Sequence, residues 1–469
     1  MLTTPVRTFL LIFLLTSTFF QSFSQTNKDK KYLLTEIVVK GNEKTKKQVI
    51  LRELTFKAGD SLQASVVDSL KILNENNVFN LSLFLEVCVD FQIQDSQKCI
   101  CQIEVKERFF TIPGFYAELA DRTFNEWWFL HHHQLNRVDV GFLLTQKNCR
   151  GRNETFSAYM QAGYSHRLTA AYSIPGLNQK RNSGFELQFQ YLANREFAYS
   201  IDSLNRLVYF RGDDYQRKRM KTSLFYYYRV SINSTHQAEL SYQFNRVTDT
   251  ILSLNPDYLG NNRLKNSFLS LNYTFDLDHT DIHFYPEKGY VFQLNAGFSG
   301  LGISKYINQF NLSGTYSAFY SPMPKVLMAH QLRGFYCSEK NLSFLFSPSF
   351  GYEDILVRTF EYYLIKGRAG FLLKNDIKYR LLNETLNIRF LRWHKFNTIP
   401  IRLYPKVFFD VGYVSDQAVF REFSLNNKLL TGGGIGFDLV SYYDIVVRME
   451  VGTNNLGEKH IFVHFRKAI

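Results

Sequence analysis

The sequence predicts a membrane β-barrel of about sixteen antiparallel strands behind one small α+β domain. Three observations carry this expectation. The chain opens on an apolar leader. Its hydrophobic period changes from helical to two near residue 110. It also holds 29 Tyr and 44 Phe in 469 residues, yet no later stretch approaches the ~18 apolar residues a spanning helix needs.

The leader comes first. "MLTTPVRTFLLIFLLTSTFFQSFSQ" places Arg7 before an apolar run from Phe9 to Phe20, followed by small residues Ser22 and Ser24. That pattern is a secretory signal peptide over residues 1–24, too short in its apolar part to span a bilayer. An exported chain with mean hydropathy −0.21 and this aromatic load fits strands that show every second residue to lipid. The net charge of +13 suits anionic lipid head groups or an acidic partner. Nucleic acid is not expected as a partner of an exported chain.

Residues 32–107 read as the small domain. "LLTEIVVKG" alternates like a strand and stops at the turn pair Gly41-Asn42. "TKKQVILREL" puts Val49, Ile50 and Leu54 on one helical face. After Gly59-Asp60, "SLQASVVDSLKILNE" predicts a second helix through Leu62, Val66, Leu70 and Leu73, capped by Asp60 or Ser61. "LSLFLEVCVDFQI" and "KCICQIEVKE" complete a β-α-α-β-β order as a hairpin. A bridge from Cys88 to Cys101 or Cys99 is open in an oxidising compartment, against the strain of linking adjacent strands.

Residues 110–469 carry the barrel. In "IRLYPKVFFDVGY", Ile401, Leu403, Val407, Phe409, Val411 and Tyr413 oppose Arg402, Tyr404, Lys406, Phe408 and Asp410. A soluble sandwich shows the same alternation with its faces reversed, so period two establishes strand and leaves the membrane undecided. Connection lengths add to the argument. Those at 120–135, 194–217, 249–263, 337–370 and 414–429 are long, and those at 231–234, 321–324 and 440–444 are short. Long on one side and short on the other is the habit of outer-membrane barrels. The connection at 382–399 breaks the habit by being long on the short side; those near 164 and 299 break it by being short on the long side.

Several stretches resemble the BamA/TamA family of outer-membrane assembly proteins. These are "VVKGNEKTKKQVILREL", "KNCRGRNETFSAYMQAGYSHRLTAAYSIPGL" and "DLDHTDIHFYPEKGY", with Pro286 and Gly289 in an Asp-rich turn. The resemblance implies one periplasmic POTRA domain at 32–107 and a sixteen-stranded surface-antigen-type barrel at 110–469. It also implies a loop-6 lock, V-R-G-F/Y, here Val357-Arg358-Thr359-Phe360, with Thr359 where the family has glycine. Ile365-Lys366-Gly367-Arg368 is the competing alignment.

A guanidinium in a lumen of limited water needs a carboxylate. Asp410 and Asp376 both lie on polar strand faces within the same region. The resemblance favours Asp410, whose Asp410-Val411-Gly412 matches the motif that receives the loop. Lys374, Lys378 and Arg380 read as lumen charges facing water.

No G-x-S-x-G, paired-carboxylate spacing or phosphate loop is present, so no enzyme, cofactor or metal is expected. His131-His132-His133 point in different directions and make a poor metal site. Trp127, Trp128 and Phe129 read as an interfacial aromatic belt. The expected function is assembly, insertion or translocation of other proteins at the outer membrane of a Gram-negative-type cell. Its partners would be unfolded client proteins, lipid and periplasmic or lipoprotein accessory factors. The alternatives are a two-partner-secretion-type pore dedicated to one exported protein and, further off, a passive channel.

Overall fold

A computed structural model describes residues 30–467 apart from 96, 120–125, 179–181, 303, 305–306, 340–342, 353–354, 388–397 and 442–444. The leader at 1–24 lies outside the described residues.

The small domain runs through β1 (Lys31–Lys40), α1 (Lys47–Leu51), β2 (Ser61–Gln63), α2 (Val67–Phe79), β3 (Phe84–Asp95) and β4 (Lys98–Glu107). Its sheet has the order β2-β1-β4-β3, with β1 parallel to β4. Leu34, Ile50, Val78, Leu83, Phe84 and Ile103 fill the core beneath the helices.

Two expectations are corrected here. Ser61–Gln63 pairs with β1, so Leu62 enters the core from a strand and the second helix starts only at Val67. Asp60 does not cap it; its carboxylate accepts the Lys57 N–H instead. Leu73 is exposed, and Asn74 faces inward, where its amide joins the Thr55 backbone to Leu70 O. A polar residue spent on holding a loop had disguised the buried face.

The second correction concerns the disulfide. All five cysteines are free. Cys88 lies opposite Glu104 on the exposed face, whereas Cys101 lies opposite Phe91 and Cys99 opposite Ile93, both buried on the core face. Burial pushes the Cys101 thiol up to about 12.

The barrel begins with β5 (Thr111–Leu119), β6 (Val138–Cys149), β7 (Glu154–Ala162), β8 (Ser165–Ile174) and β9 (Ser183–Asn194). A loop hairpin, β10 (Glu196–Ile201) and β11 (Leu207–Arg211), precedes β12 (Arg217–Ser231) and β13 (Ser234–Val247). The short helix α3 (Asp249–Leu254) leads to β14 (Lys265–Asp278), β15 (Gly289–Ser299), β16 (Gln309–Met323) and β17 (Val326–Cys337). Inside the next loop, β18 (Ser349–Phe350) pairs with β19 (Ile365–Lys366). The remaining wall is β20 (Ala369–Tyr379), β21 (Leu382–Asn387), β22 (Thr398–Ser415), β23 (Leu429–Val440), β24 (Ile445–Asn454) and β25 (Lys459–Lys467).

These strands close into one cylinder in which β25 and β5 are neighbours. β20 and β21 pair with successive halves of β22, so they occupy one strand position and sixteen positions complete the ring. The described ends of the long connection at 382–399 pair as a ribbon, Leu382–Asn387 against Thr398–Leu403. The pairing of β20 with β17 ends at Tyr379 and that of β22 with β23 at Arg402, while β21 and β22 pair on to Asn387↔Thr398. β5 pairs with β6 from Thr111↔Gln146 to Leu119↔Val138.

The facing of side chains decides what alternation could not. Val407, Phe409, Ile435 and Val451 point out of the cylinder and are 50–64% exposed. Tyr404, Lys406, Phe408 and Asp410, between them on the same strand, are buried inside. Apolar residues bare on the outside and charges enclosed within is the arrangement for a lipid solvent.

The small domain sits on one rim. Lys46 N–H donates to Gly151 O at 2.9 Å, Asn148 Nδ2 to Thr45 Oγ1 at 2.8 Å, and Arg229 pairs with buried Glu53 at 2.7 Å. Gly151 has φ +71°, and a Cβ there would lie 2.2 Å from Lys44 O. Only glycine permits that close approach.

Candidate functional site: a loop locked inside the barrel

The loop between β17 and β20 enters the lumen from the end opposite the small domain. Val357, Arg358, Thr359 and Phe360 at its tip are all buried. Three glycines on adjacent strands make their seat. A Cβ at Gly412 of β22 would meet Val357 Cγ2 at 2.6 Å. One at Gly432 of β23 would meet Thr359 Oγ1 at 1.8 Å, and one at Gly452 of β24 would meet Thr359 Cγ2 at 2.9 Å. The bare wall thus accepts the threonine side chain. Thr359 is not among the residues with left-handed φ, so no glycine is needed at that turn.

Arg358 is 5% exposed and bonds Asp410 in bidentate fashion, Nε to Oδ2 at 2.8 Å and Nη2 to Oδ1 at 2.6 Å. Its backbone N–H donates to the same carboxylate at 3.0 Å. Nη1 reaches Asp376 at 2.5 Å and Glu450 at 3.1 Å, and the guanidinium lies 4.3 Å from the centre of the Phe408 ring. The fork geometry of arginine suits this convergence of three carboxylates. A solvated charge on an external loop is ruled out. The competing alignment fares differently: Ile365 and Lys366 form β19, and among the described residues the Arg368 guanidinium bonds Ser338 O at 3.4 Å and no carboxylate.

The lock continues down the wall as alternating charge. Lys406 pairs with Glu450 at 2.7 Å and Asp438 at 3.0 Å; Lys378 lies 3.8 Å from Asp376 and 3.5 Å from Asp438; Arg448 pairs with Asp438 at 2.9 Å. Four cations thereby face four carboxylates on β20, β22, β23, β24 and the loop, and the set is neutral. Such a balance is what enclosed charges require, since each alone would pay a large desolvation cost. At the rim near the small domain the turn between β14 and β15 closes the series. Tyr285 donates to Asp438 at 3.0 Å and packs on Tyr404, and Glu287 pairs with Arg380 and accepts from Tyr404 at 2.7 Å. Lys378 is buried and Arg380 half-buried, and both are partners in this network rather than free lumen charges.

The same loop also grips the end of the chain. Glu361 Oε1 lies 2.7 Å from His464 Nε2 of β25, Tyr363 donates to Glu458 at 2.6 Å, and Asn454 donates to Thr359 O at 3.1 Å. With this geometry in hand, the match of residues 148–439 to the Omp85 superfamily domain covers more than half of the chain. The chain belongs to the Omp85 superfamily.

Relatives of this Omp85 protein fit that placement. It is 23% identical over 279 residues to the outer membrane protein assembly factor BamA of Neorickettsia risticii (strain Illinois), covering 58% of this chain and 33% of that relative. The chain therefore spans about a third of the curated relative it matches. Among solved structures, BamA from Haemophilus ducreyi lacking POTRA domains 1–3 is similar at TM-score 0.54 and 13% identity, over 92% of this chain and 84% of that one. CdiB from Escherichia coli is similar at TM-score 0.55 and 11% identity, over 92% and 75%. At these identities the likeness is one of fold. The cylinder is an outer-membrane barrel.

In this Omp85 chain the structure brings together all the loop-6 residues named from sequence with Asp410, Asp376 and Gly412. Sequence reasoning missed Glu450, Arg448, Asp438, Lys406 as a partner, and the seat glycines 432 and 452. The signal was present. "IVVRMEVGT" alternates Arg448 and Glu450 with apolar residues, and charge inside a membrane strand is costly enough to demand a partner.

Proposed function

We propose that this Omp85 chain assembles, inserts or translocates other proteins at the outer membrane, with the small domain as a periplasmic POTRA domain. One observation carries the reading: the Arg358 loop is fastened to the barrel wall through Asp410, to the terminal strand through His464 and to the turn before that strand through Glu458. A device that holds β25 beside β5 from within controls whether that closure opens. Opening it presents an unpaired strand edge, to which an unfolded client adds by main-chain hydrogen bonding. The β3 edge of the POTRA sheet offers a second such edge, and accessory periplasmic or lipoprotein factors would meet the chain there. Because the loop and the 279–288 turn both enter the lumen, a passive channel is a poor description of the molecule.

Depletion followed by quantitative proteomics of the outer membrane tests this. A fall in many β-barrel proteins supports assembly. Loss of one exported protein alone would assign the chain as a dedicated pore instead. An unchanged proteome with altered small-solute uptake would overturn both.

A further inference from the structure

At the rim that carries the small domain, β21 (Leu382–Asn387) and the first residues of β22 run on past the wall as a ribbon of two strands. Two strands alone are a marginal unit in water, and a third strand or a packed face is what steadies them. The two edges of this ribbon differ. Leu381 N–H donates to Leu403 O at 2.9 Å, so Leu403 turns toward β21, and by strand alternation Ile401 and Ile399 do the same. Their register partners Leu382, Glu384 and Leu386 hold the ladder, so Asn383, Thr385 and Asn387 turn their N–H and C=O groups to the outer flank. On β22 the outward groups past Arg402, its last pair with β23, are those of Pro400 and Thr398. Proline has no N–H to offer, and it is one of the devices that keep an edge strand from pairing. Thr385, opposite Pro400 in the register, keeps its N–H. One edge is blunted and the other is open.

The open edge has a direction and a chemistry. It continues the line of β17: Lys325 O accepts the Arg380 N–H at 2.7 Å, and past that link the described residues set no ladder against β21 on this side. The side chains sort by face. Leu382 lies in one row with Leu403 and Ile401 across the ladder, and it is 45% exposed. Exposed Glu384 lies in the same row, with the neutral Ile401 as its register partner. Asn383 and Thr385 lie on the other face, opposite Arg402 and Pro400.

We infer that β21 docks an extended segment of a partner protein as the third strand of this ribbon, with a lysine or arginine of that segment beside Glu384 and apolar residues at the next-but-one positions. Main-chain bonds to Asn383, Thr385 and Asn387 supply the attachment, and cross-strand contacts along the row of Leu382 and Glu384 supply the choice of sequence. The added strand would lie in line with β17, extending the wall's own pairing. This edge is separate from the β5–β25 closure and from the β3 edge of the small domain. It rests on the outer-membrane reading only for the compartment that the ribbon faces.

Hydrogen exchange of the full mature chain in detergent tests it, with the peptide acetyl-Val-Thr-Lys-Thr-Val-amide in excess as the probe. Its side chains read the same in either direction, and its lysine falls beside Glu384 when its threonines lie opposite Asn383 and Thr385. Exchange at Asn383, Thr385 and Asn387 is expected to slow several-fold. N-methylation of the two threonines should weaken binding about tenfold or more, the effect of losing two main-chain hydrogen bonds. A glutamate in place of the peptide lysine should also weaken it, and Glu384→Lys should reverse that preference. Thr385→Pro copies Pro400 onto the open edge and should abolish the protection. Protection confined to β3, no protection over 382–387, equal binding of the N-methylated peptide, or a Thr385→Pro chain protected like the parent would overturn the site. Protection of 382–387 without peptide, in a chain that sediments as a dimer, would give the edge to a second copy and overturn it as well. The N-methylated comparison uses the unaltered chain, so it does not rely on any variant's folding. A negative result leaves the outcome of the depletion experiment untouched.

Discussion

Removal of Arg358 and removal of Asp410 are expected to differ, and the structure says in which order. Arg358→Ala leaves the fully buried Asp410 with the residue-358 backbone N–H as its remaining contact to the loop, at 3.0 Å. A carboxylate so stranded should cost about 3–5 kcal/mol. Asp410→Ala is milder, because the guanidinium keeps Asp376 at 2.5 Å and Glu450 at 3.1 Å. The loss there is the bidentate bond, about 1.5–3 kcal/mol. The double variant removes both charges together, so it should fall short of the sum by about 1–3 kcal/mol. Urea unfolding of the folded barrel in detergent measures the global cost. Hydrogen exchange of the amides at 356–364 shows whether the loop alone is released. Additivity within about 0.5 kcal/mol, or an Asp410→Ala variant weaker than Arg358→Ala, would refute the pairing as described.

The glycine seat makes a steric prediction: Gly432→Val or Gly452→Val should raise exchange of the loop amides as much as Arg358→Ala does. Gly314→Ala, whose Cβ would find its nearest neighbour at 3.8 Å, should not. Lys366, outside the membrane strands, is pushed down to about 7 by burial alone. Because its ordinary value near 10.5 returns on unfolding, its penalty is absent above that pH, grows as pH falls toward 7 and is constant below. Lys366→Met should therefore be more stabilising at pH 6 than at pH 10.5 by on the order of a few kcal/mol, read from thermal unfolding at both. Exposed Cys88 should be alkylated by iodoacetamide in the native chain while Cys101, buried and held protonated, stays unmodified. Mass spectrometry of the two peptides decides that, and a native Cys88–Cys101 bridge would show as neither reacting.

Much of this was legible because a period of two is fixed by backbone geometry, whichever face is wet. The direction of the faces was not legible: Val407 and Phe409 would alternate identically in a water-soluble sandwich. Arg358 stood out because a family motif surrounds it. Its wider network did not, since Lys406, Asp438 and Glu450 meet through pairing of β22, β23 and β24, and register is a property of neighbouring strands. The start of α2 was misread for a local reason. Leu62 has the spacing of a helical residue, but pairing with Tyr32 of β1 holds it extended.

The ribbon made by β21 and β22 has a consequence for where the bilayer ends. Its last neighbours in the wall are Val326, opposite Tyr379, and Val440, opposite Arg402. Past those pairs β21 and β22 have no further ladder on their outer flanks among the described residues, and amide and carbonyl groups left so are tolerated by water or head groups and not by hydrocarbon. The oily slab must therefore stop near the level of Tyr379, whose exposed ring is the kind that settles at that boundary. The ribbon itself stands in the aqueous space beneath, fixing the depth at which the cylinder floats.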